Sequence, residues 1–316
     1  MKIVYLDKHA LNPGDIDFSP LESLGCEIDY YDRTTTTADT IARIGNAEII
    51  ITNKTIINRE VLDACPSIKY ITITATGYNV VDVAECARRG IPVSNVPSYS
   101  TFSVAQHIFA LLFEHTNKVF AHAEAVKRGM WATCPDYTFS LGALSELCEK
   151  TIGFIGMGAI GTRAALIAQA LGMKTVCYHS RASLQNCEHL TLDQLLSRSD
   201  VVALCCPITA DNAKMINAET ISKMRDGVIL INTSRGGLID EPALADALNS
   251  GKVAFAGLDV LTVEPPTDSP LISAKNCVIT PHIAWAPYET RARLLVETVE
   301  NIKSFLSGDI RNLLSL

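Results

Sequence analysis

The chain has no CxxC and no HExxH pattern, no block of lysines and arginines, and no apolar run long enough to cross a bilayer. Each gap closes off a class of function. Without clustered thiols or a secretory leader, the ten cysteines read as reduced thiols rather than as disulfides or metal ligands, and no metal site is expected. Cys177, Cys205 and Cys206 lie in strand-like runs, where a free cysteine behaves as a small apolar side chain. The net charge of −7, from 27 basic and 34 acidic residues, argues against a nucleic-acid or anionic-membrane partner. The longest apolar-rich stretch, residues 103–113, contains Gln106 and His107 and falls well short of the ~18 residues of a membrane span. Asp7 interrupts the first strand-like run, so that run cannot serve as a signal-peptide core. The chain is expected to start at its mature N-terminus and to reside in the cytoplasm.

A more specific absence lies in the middle of the chain. No aspartate or glutamate occurs from Lys150 through Cys187. The segment holds an apolar strand, 151–155, running into Gly156, Gly158 and Gly161, then a helical pattern over 159–171 and a second strand over 174–178. This is one βαβ unit with a dinucleotide fingerprint. The first glycine allows the tight turn, the second lets backbone approach a pyrophosphate, and the third lets helix and strand pack closely. An NAD-type site expects an acid about 20 residues on, to hold the ribose 2′-hydroxyl. The second strand instead ends in His179-Ser180-Arg181, which favours a 2′-phosphate.

At 316 residues, 48% apolar and 19% charged, the chain has material for two cores. The first hundred residues alternate strands (2–6, 26–31, 48–52, 70–74, 91–94) with helices (59–65 capped by Asn58, and 81–89), which implies a parallel sheet covered on both faces. A long helix is expected from Ser100 to about Phe120. Further strands fall at 201–205, 228–232, 253–258 and 277–280, and a helix capped by Asp240 at 241–249. The final helix, 288–306, aligns Leu295, Val299, Ile302 and Leu306 on one face. Its position lets the chain return to the first domain, with crossings near 96–101 and 284–287 and a cleft between the domains as the natural site. The expected substrate domain is 1–98 plus 286–316, and the dinucleotide domain 99–285. The segment 117–150, with Trp131 and Tyr137, exceeds what the nucleotide fold needs and reads as a dimer arm.

Three segments place polar residues just past buried strands: Asn232-Thr-Ser-Arg-Gly-Gly237, 257–266 with Glu264, and 280–285 with His282. Open α/β sheets bind ligands at such strand ends. Hydride transfer to a carbonyl needs a proton donor at oxygen, a cation for the substrate and a group that keeps the donor charged. His282 would protonate the forming alkoxide, Glu264 would favour its imidazolium and raise its pKa, and Arg235 would grip the substrate carboxylate. Gly236 and Gly237 would leave the surroundings of Arg235 open to a ligand. Singly, each has a plainer reading: a salt-bridge arginine, a Glu-Pro-Pro turn, a capping histidine.

With these motifs in this order, the chain resembles the D-2-hydroxyacid dehydrogenase family over essentially its whole length. The resemblance implies an α/β protein of two domains, a Rossmann-type dinucleotide-binding domain inserted in a flavodoxin-like substrate domain, acting as an NAD(P)-dependent oxidoreductase on the CH–OH group and usually a homodimer. It gives Arg235, Glu264 and His282 the roles already argued. It further implies that Ala159 and Ile160 meet the pyrophosphate, Cys206 and Pro207 the nucleotide, and Thr233 and Asp259 the nicotinamide side. Backbone N–H groups of Thr76 and Gly77 would hold the substrate carboxylate, although the same pair also reads as an ordinary tight turn. Residues 74–79 and 281–285 are similar to the glycerate dehydrogenase, or hydroxypyruvate reductase, branch. That branch implies a small 2-keto or 2-hydroxy acid, with Trp285 either closing the pocket or packing at the domain hinge.

Two departures bear on function. Many members of the family carry histidine where Cys205 stands, so Cys205 is given no catalytic role. In place of the ribose-binding acid stand His179, Ser180 and Arg181, which points to use of both NAD and NADP with a lean to NADP; a solvated Arg181 with NAD still used is the alternative. Phosphoglycerate or D-lactate dehydrogenation, formate oxidation and a non-catalytic, corepressor-like NAD(H) sensor are the competing readings. With 34 residues after His282, neither an added regulatory domain nor long disordered tails are expected.

Overall fold

Runs of β-branched and aliphatic residues in this chain are almost unbroken, as strands buried on both faces require. In the computed structural model, which describes residues 1–180 and 184–314, with Ser180 by its backbone alone, the chain divides into two units. One is Met1–Ser100 with Trp285–Leu316, the other Thr101–Ala284.

In the first unit β1 (Lys2–Tyr5), β2 (Glu27–Tyr30), β3 (Ile49–Thr52), β4 (Tyr70–Ile73) and β5 (Val93–Ser94) form a parallel sheet in the order β2-β1-β3-β4-β5. This is the flavodoxin-like order. Pleating divides each strand between two cores: Val4, Ile50 and Ile71 join Ile44, Val61 and Leu62 on one face, while Ile3, Tyr5, Ile49 and Ile51 join Leu294, Leu295, Val299 and Ile302 on the other. The last four belong to the helix Tyr288–Leu306. Leu306, expected on its buried face, is 39% exposed, and Leu294 is fully buried instead. The 3.6-residue period carries the apolar stripe through Leu294, and position 306 is the helix's last residue.

The second unit contains β6 (Thr151–Met157), β7 (Lys174–Ser180), β8 (Cys187–His189), β9 (Val201–Leu204), β10 (Val228–Asn232), β11 (Val253–Leu258) and β12 (Cys277–Ile279). All pair in parallel, in the order β12-β11-β10-β9-β6-β7-β8. Counted from β6 this is the Rossmann order with one strand added, and the order reverses between β6 and β9. The crevice past the C-terminal ends of these two strands is where the fold places ligands. One face packs on Leu195, Leu244 and Leu248, the other on Ile108, Phe109, Leu112, Ala164 and Ala168.

The expected helix from Ser100 to Phe120 is two helices, Thr101–Asn117 and Val119–Lys127, separated by Lys118 in the left-handed conformation (φ 50°, ψ 40°). Apolar periodicity continues across that break, which is why the sequence conceals it. Helices at Thr37–Ile44 and Leu192–Arg198 carry N-caps, Thr36 and Thr191, whose side chains accept from Asp39 N and Gln194 N. Among the described residues, no helix is long and apolar enough to cross a membrane.

Candidate active site

The glycine turn sits at the reversal of strand order, and its three glycines answer to different constraints. Gly156 has φ +94°, and a Cβ there would lie 2.7 Å from Cys206 N. Both the conformation and the close approach of the chain after β9 demand glycine. At Gly161 a Cβ would lie 2.4 Å from Gly156 O, so this glycine lets the helix Ala159–Ala170 begin against its own strand. At Gly158 a Cβ would meet nothing within 4 Å and φ is an ordinary −84°. The protein itself therefore leaves room at Gly158 that a close-approaching ligand needs.

Thr36, Asn58, Asp82, Thr191, Asn217 and Asp240 cap other helices with their side chains, but Gly158 offers no side-chain cap to the helix at 159–170. Its first-turn N–H donors, at Ala159 and Ile160, and the positive end of its dipole suit a pyrophosphate. The chain after β9 brings Cys206 against Gly156 and continues into Pro207. Asn212 Nδ2 donates to Pro207 O at 2.9 Å and closes that loop. Burial pushes the Cys205 thiol up to about 12 and raises that of Cys206, so neither offers a thiolate near neutral pH.

Past β10 the chain turns sharply. Asn232, fully buried, accepts from Ser234 N at 3.0 Å and donates to Arg235 O at 2.9 Å, while Ser234 Oγ donates to Leu204 O at 2.8 Å. This fixes the half-buried Arg235, whose Nη1 donates to Ser234 O at 2.7 Å. Among the described residues no carboxylate pairs with it. A guanidinium held this way lacks its natural anionic partner. Thr233 Oγ1 is likewise buried with no hydrogen-bond partner, a free polar atom beside the turn where a nicotinamide contact is expected.

The two glycines after Arg235 do not open space for a ligand. A Cβ at Gly236 would lie 1.9 Å from Leu261 C and 2.3 Å from Thr262 N, and one at Gly237 would lie 2.7 Å from Ile208 Cδ1. Gly236 instead admits the backbone of the loop after β11. That loop brings Glu264 to His282: Nδ1 of His282 lies 2.6 Å from Glu264 Oε2, and Glu264 Oε1 accepts from Leu261 N at 3.1 Å. A hydrogen bond from Nδ1–H to the carboxylate orients the ring and leaves Nε2 as the outward nitrogen. Nε2 has no partner among the described residues. The His282 side chain is 30% exposed, enough to present that nitrogen to a substrate.

His282 adopts φ +54°, a left-handed conformation that costs about 1–2 kcal/mol. Asp259 holds it there. This residue is 1% exposed, and its Oδ1 accepts from Thr280 Oγ1 at 2.6 Å and Ile283 N at 2.9 Å, its Oδ2 from Ala284 N at 2.8 Å. Its carbonyl accepts from His282 N at 2.9 Å. The residue expected beside the nicotinamide thus spends its carboxylate on the backbone after His282. Thr280, and Glu241, which accepts from Thr262 N and Ser269 Oγ, also build this loop. Sequence reading assigned a role to neither.

Residues 109–284 match the family described as D-isomer specific 2-hydroxyacid dehydrogenase, NAD binding domain. The chain belongs to that family. The dehydrogenase is 50% identical to the hydroxypyruvate reductase of Blautia hydrogenotrophica, with 100% of both chains covered, and 34% identical to the glycerate dehydrogenase of Methylorubrum extorquens, with 98% of each covered. The solved structure of an acyclic imino acid reductase in complex with NADPH and D-Arg aligns over 100% of both chains with a TM-score of 0.88 at 32% identity. The dehydrogenase is accordingly an oxidoreductase acting on small keto or hydroxy acids with a nicotinamide dinucleotide, which the glycine cradle and the orphaned Thr233 hydroxyl fit.

The other expected site residues lie as follows. His179, next to last in β7, is exposed, with φ +54°; Arg181 and the side chain of Ser180 lie outside the described residues. Thr76 and Gly77 belong to the first unit, in the turn after β4. Thr76 Oγ1 donates to Val96 O at 2.9 Å and Asn95 Nδ2 to Thr76 O at 2.7 Å, while neither Thr76 nor Gly77 has a backbone N–H acceptor among the described residues. Trp285 meets Tyr99 edge-on, with ring centroids 6.5 Å apart.

The glycines separate binding from architecture, and two substitutions test the separation. Gly158→Ala is expected to change stability by at most about 1 kcal/mol while weakening nucleotide binding. Gly236→Ala is expected to cost about 1–3 kcal/mol and to lower kcat with nucleotide affinity retained. Denaturant unfolding and fluorescence titration of the nucleotide check both; equal effects from the two would contradict the assignment.

Proposed function

We propose that this dehydrogenase reduces hydroxypyruvate or glyoxylate, oxidises D-glycerate in reverse, and accepts both nicotinamide dinucleotides with a preference for NADP(H). The single observation that carries the reaction is the pairing of His282 Nδ1 with Glu264 Oε2 at 2.6 Å; on another strand end of the same sheet stands a half-buried Arg235 without a carboxylate partner among the described residues. When bound, the reduced nicotinamide supplies the hydride. Arg235 grips the substrate carboxylate through its planar fork; the backbone N–H groups of Thr76 and Gly77, without acceptors among the described residues, are donors suited to a carboxylate. His282, its ring oriented by Glu264 through Nδ1, hydrogen-bonds the carbonyl oxygen through Nε2–H and transfers that proton as negative charge develops. In the reverse direction neutral Nε2 takes the proton of the hydroxyl. Two relatives along the whole chain, the hydroxypyruvate reductase and the glycerate dehydrogenase, support a small polar substrate.

The cofactor preference rests on charge. The first carboxylate after the glycine turn, Glu188, is paired with Arg198 through two bonds of 2.9 and 2.6 Å, and residues 151–187 carry no acid of their own to repel a 2′-phosphate. His179, Ser180 and Arg181 would donate to it, a charge-assisted bond contributing about 1.5–3 kcal/mol. The solved relative in complex with NADPH supports this choice. Steady-state kinetics with a panel of 2-keto acids and both reduced dinucleotides test the reading. Hydroxypyruvate or glyoxylate with NADPH is expected to give the highest kcat/KM; a preference for NADH of about tenfold, or 1.4 kcal/mol, would contradict the cofactor claim.

A homodimer is part of the same proposal. Val119, Phe120, Trp131, Tyr137 and Leu144 are each more than half exposed in the segment after the first long helix of the second unit, and so dense an apolar surface fits a second copy. Sedimentation at micromolar concentration is expected to give a dimer, and a monomer alone would refute it.

A further inference from the structure

The helix Thr101–Asn117 packs by apolar side chains, yet it sends one polar group toward the loop that carries His282. His107 Nε2 lies 3.0 Å from Thr280 Oγ1 and 3.5 Å from Asp259 Oδ1, with the side chain 18% exposed. Donor roles follow from the atoms present. The Asp259 carboxylate only accepts, so Thr280 donates its single proton across the 2.6 Å contact. The same hydroxyl must then accept from His107, which fixes hydrogen on Nε2. A second observation shows that this approach is built in. A Cβ at Gly257 would lie 2.9 Å from Leu111 Cβ, so glycine there lets the helix close onto β11. Leu111 is one turn beyond His107, and Gly257 is two residues before Asp259. Four helical residues and two strand residues each advance about 6–7 Å, so the contact that seats Leu111 on Gly257 also brings His107 to Asp259.

We infer that His107 is a positioning residue for the proton donor. Its donation through Thr280 holds the Thr280 proton on Asp259 Oδ1, and Asp259 in turn grips His282 from both sides, through His282 N before the ring and through Ile283 N and Ala284 N after it. Removing the outer donor leaves Thr280 free to rotate and loosens the carboxylate on which the left-handed His282 depends. A space-filling histidine between helix and sheet would not need its nitrogen aimed at a hydroxyl already committed elsewhere. The inference rests on the reading of His282 as the proton donor.

Four variants of the full-length enzyme test it, assayed with hydroxypyruvate and NADPH and with the transferred hydrogen replaced by deuterium. His107→Leu is expected to lower kcat about tenfold or more, since small misplacement of a catalytic group is costly. It should also raise the primary isotope effect on kcat while leaving the NADPH dissociation constant within about twofold. His107→Gln, whose amide nitrogen reaches the same place, is expected to recover most of the rate. Thr280→Val should reproduce the loss without touching the histidine, and Thr280→Ser should not. In a His282→Ala background, His107→Leu is expected to cause no further loss, because it acts through the missing group. Wild-type kcat and isotope effect in both His107→Leu and Thr280→Val, or an undiminished effect of His107→Leu in the His282→Ala background, would overturn the inference with the proton-donor reading intact. Wild-type turnover in His282→Ala alone would overturn both.

Discussion

Asp259 is an ionisable group with 1% of its surface exposed, and a carboxylate so placed persists only when donors surround it. The donors it finds are the Thr280 hydroxyl and the amides of Ile283 and Ala284. Satisfying the charge and shaping the loop are therefore one event. The loop cannot swing away without leaving a buried carboxylate unpaired, and it cannot relax His282 from φ +54° without breaking the amide bonds that follow. Gly236 completes the arrangement from the other side, because only the absence of a Cβ lets the Leu261 backbone lie against the Arg235 turn. Arg235, Glu264 and His282 come from three separate strand ends, and their relation depends on these two constraints.

The glycine turn and the catalytic loops divide the work along the sheet edge. β6 and β9 flank the reversal of strand order, where Gly156 packs on Cys206 and the uncapped helix start at Gly158 faces outward. β10, β11 and β12 lead into the loops of Arg235, Glu264 and His282, to which the proposed reaction assigns the handling of the acid. This separation lets cofactor preference change at the end of β7 without disturbing Arg235 or His282. It accounts for a chain that keeps the dehydrogenase constellation while lacking the acid expected after β7.

Much of this was legible in the sequence because it rests on local rules. The βαβ pattern, the Asp240 cap and the strand ends bearing Arg235, Glu264 and His282 follow from periodicity, capping and the placement of ligands past strand termini, and the fold agrees with them. Tertiary context decided the rest. His107 lies in an apolar helix, where a lone histidine reads as core, and only the approach permitted by Gly257 gives it a partner. Gly236 looked like space for a ligand because sequence cannot distinguish a glycine that faces solvent from one that faces another backbone. Lys118 breaks a helix whose apolar pattern runs on, and Leu306 shares the phase of the buried stripe but ends its helix. Asp259 finds its donors more than twenty residues downstream, beyond any local pattern.

The buried Asp259 carboxylate holds the backbone on both sides of His282, the proposed proton donor. The crystal structure of the Asp259→Asn variant tests it most directly. The amide would set N–H donors against the Ala284 amide or the Thr280 and Ile283 donors. Residues 280–284 are expected to shift, and His282 Nδ1 to leave hydrogen-bond distance of Glu264. A variant structure with His282 still left-handed and still bonded to Glu264 would contradict it.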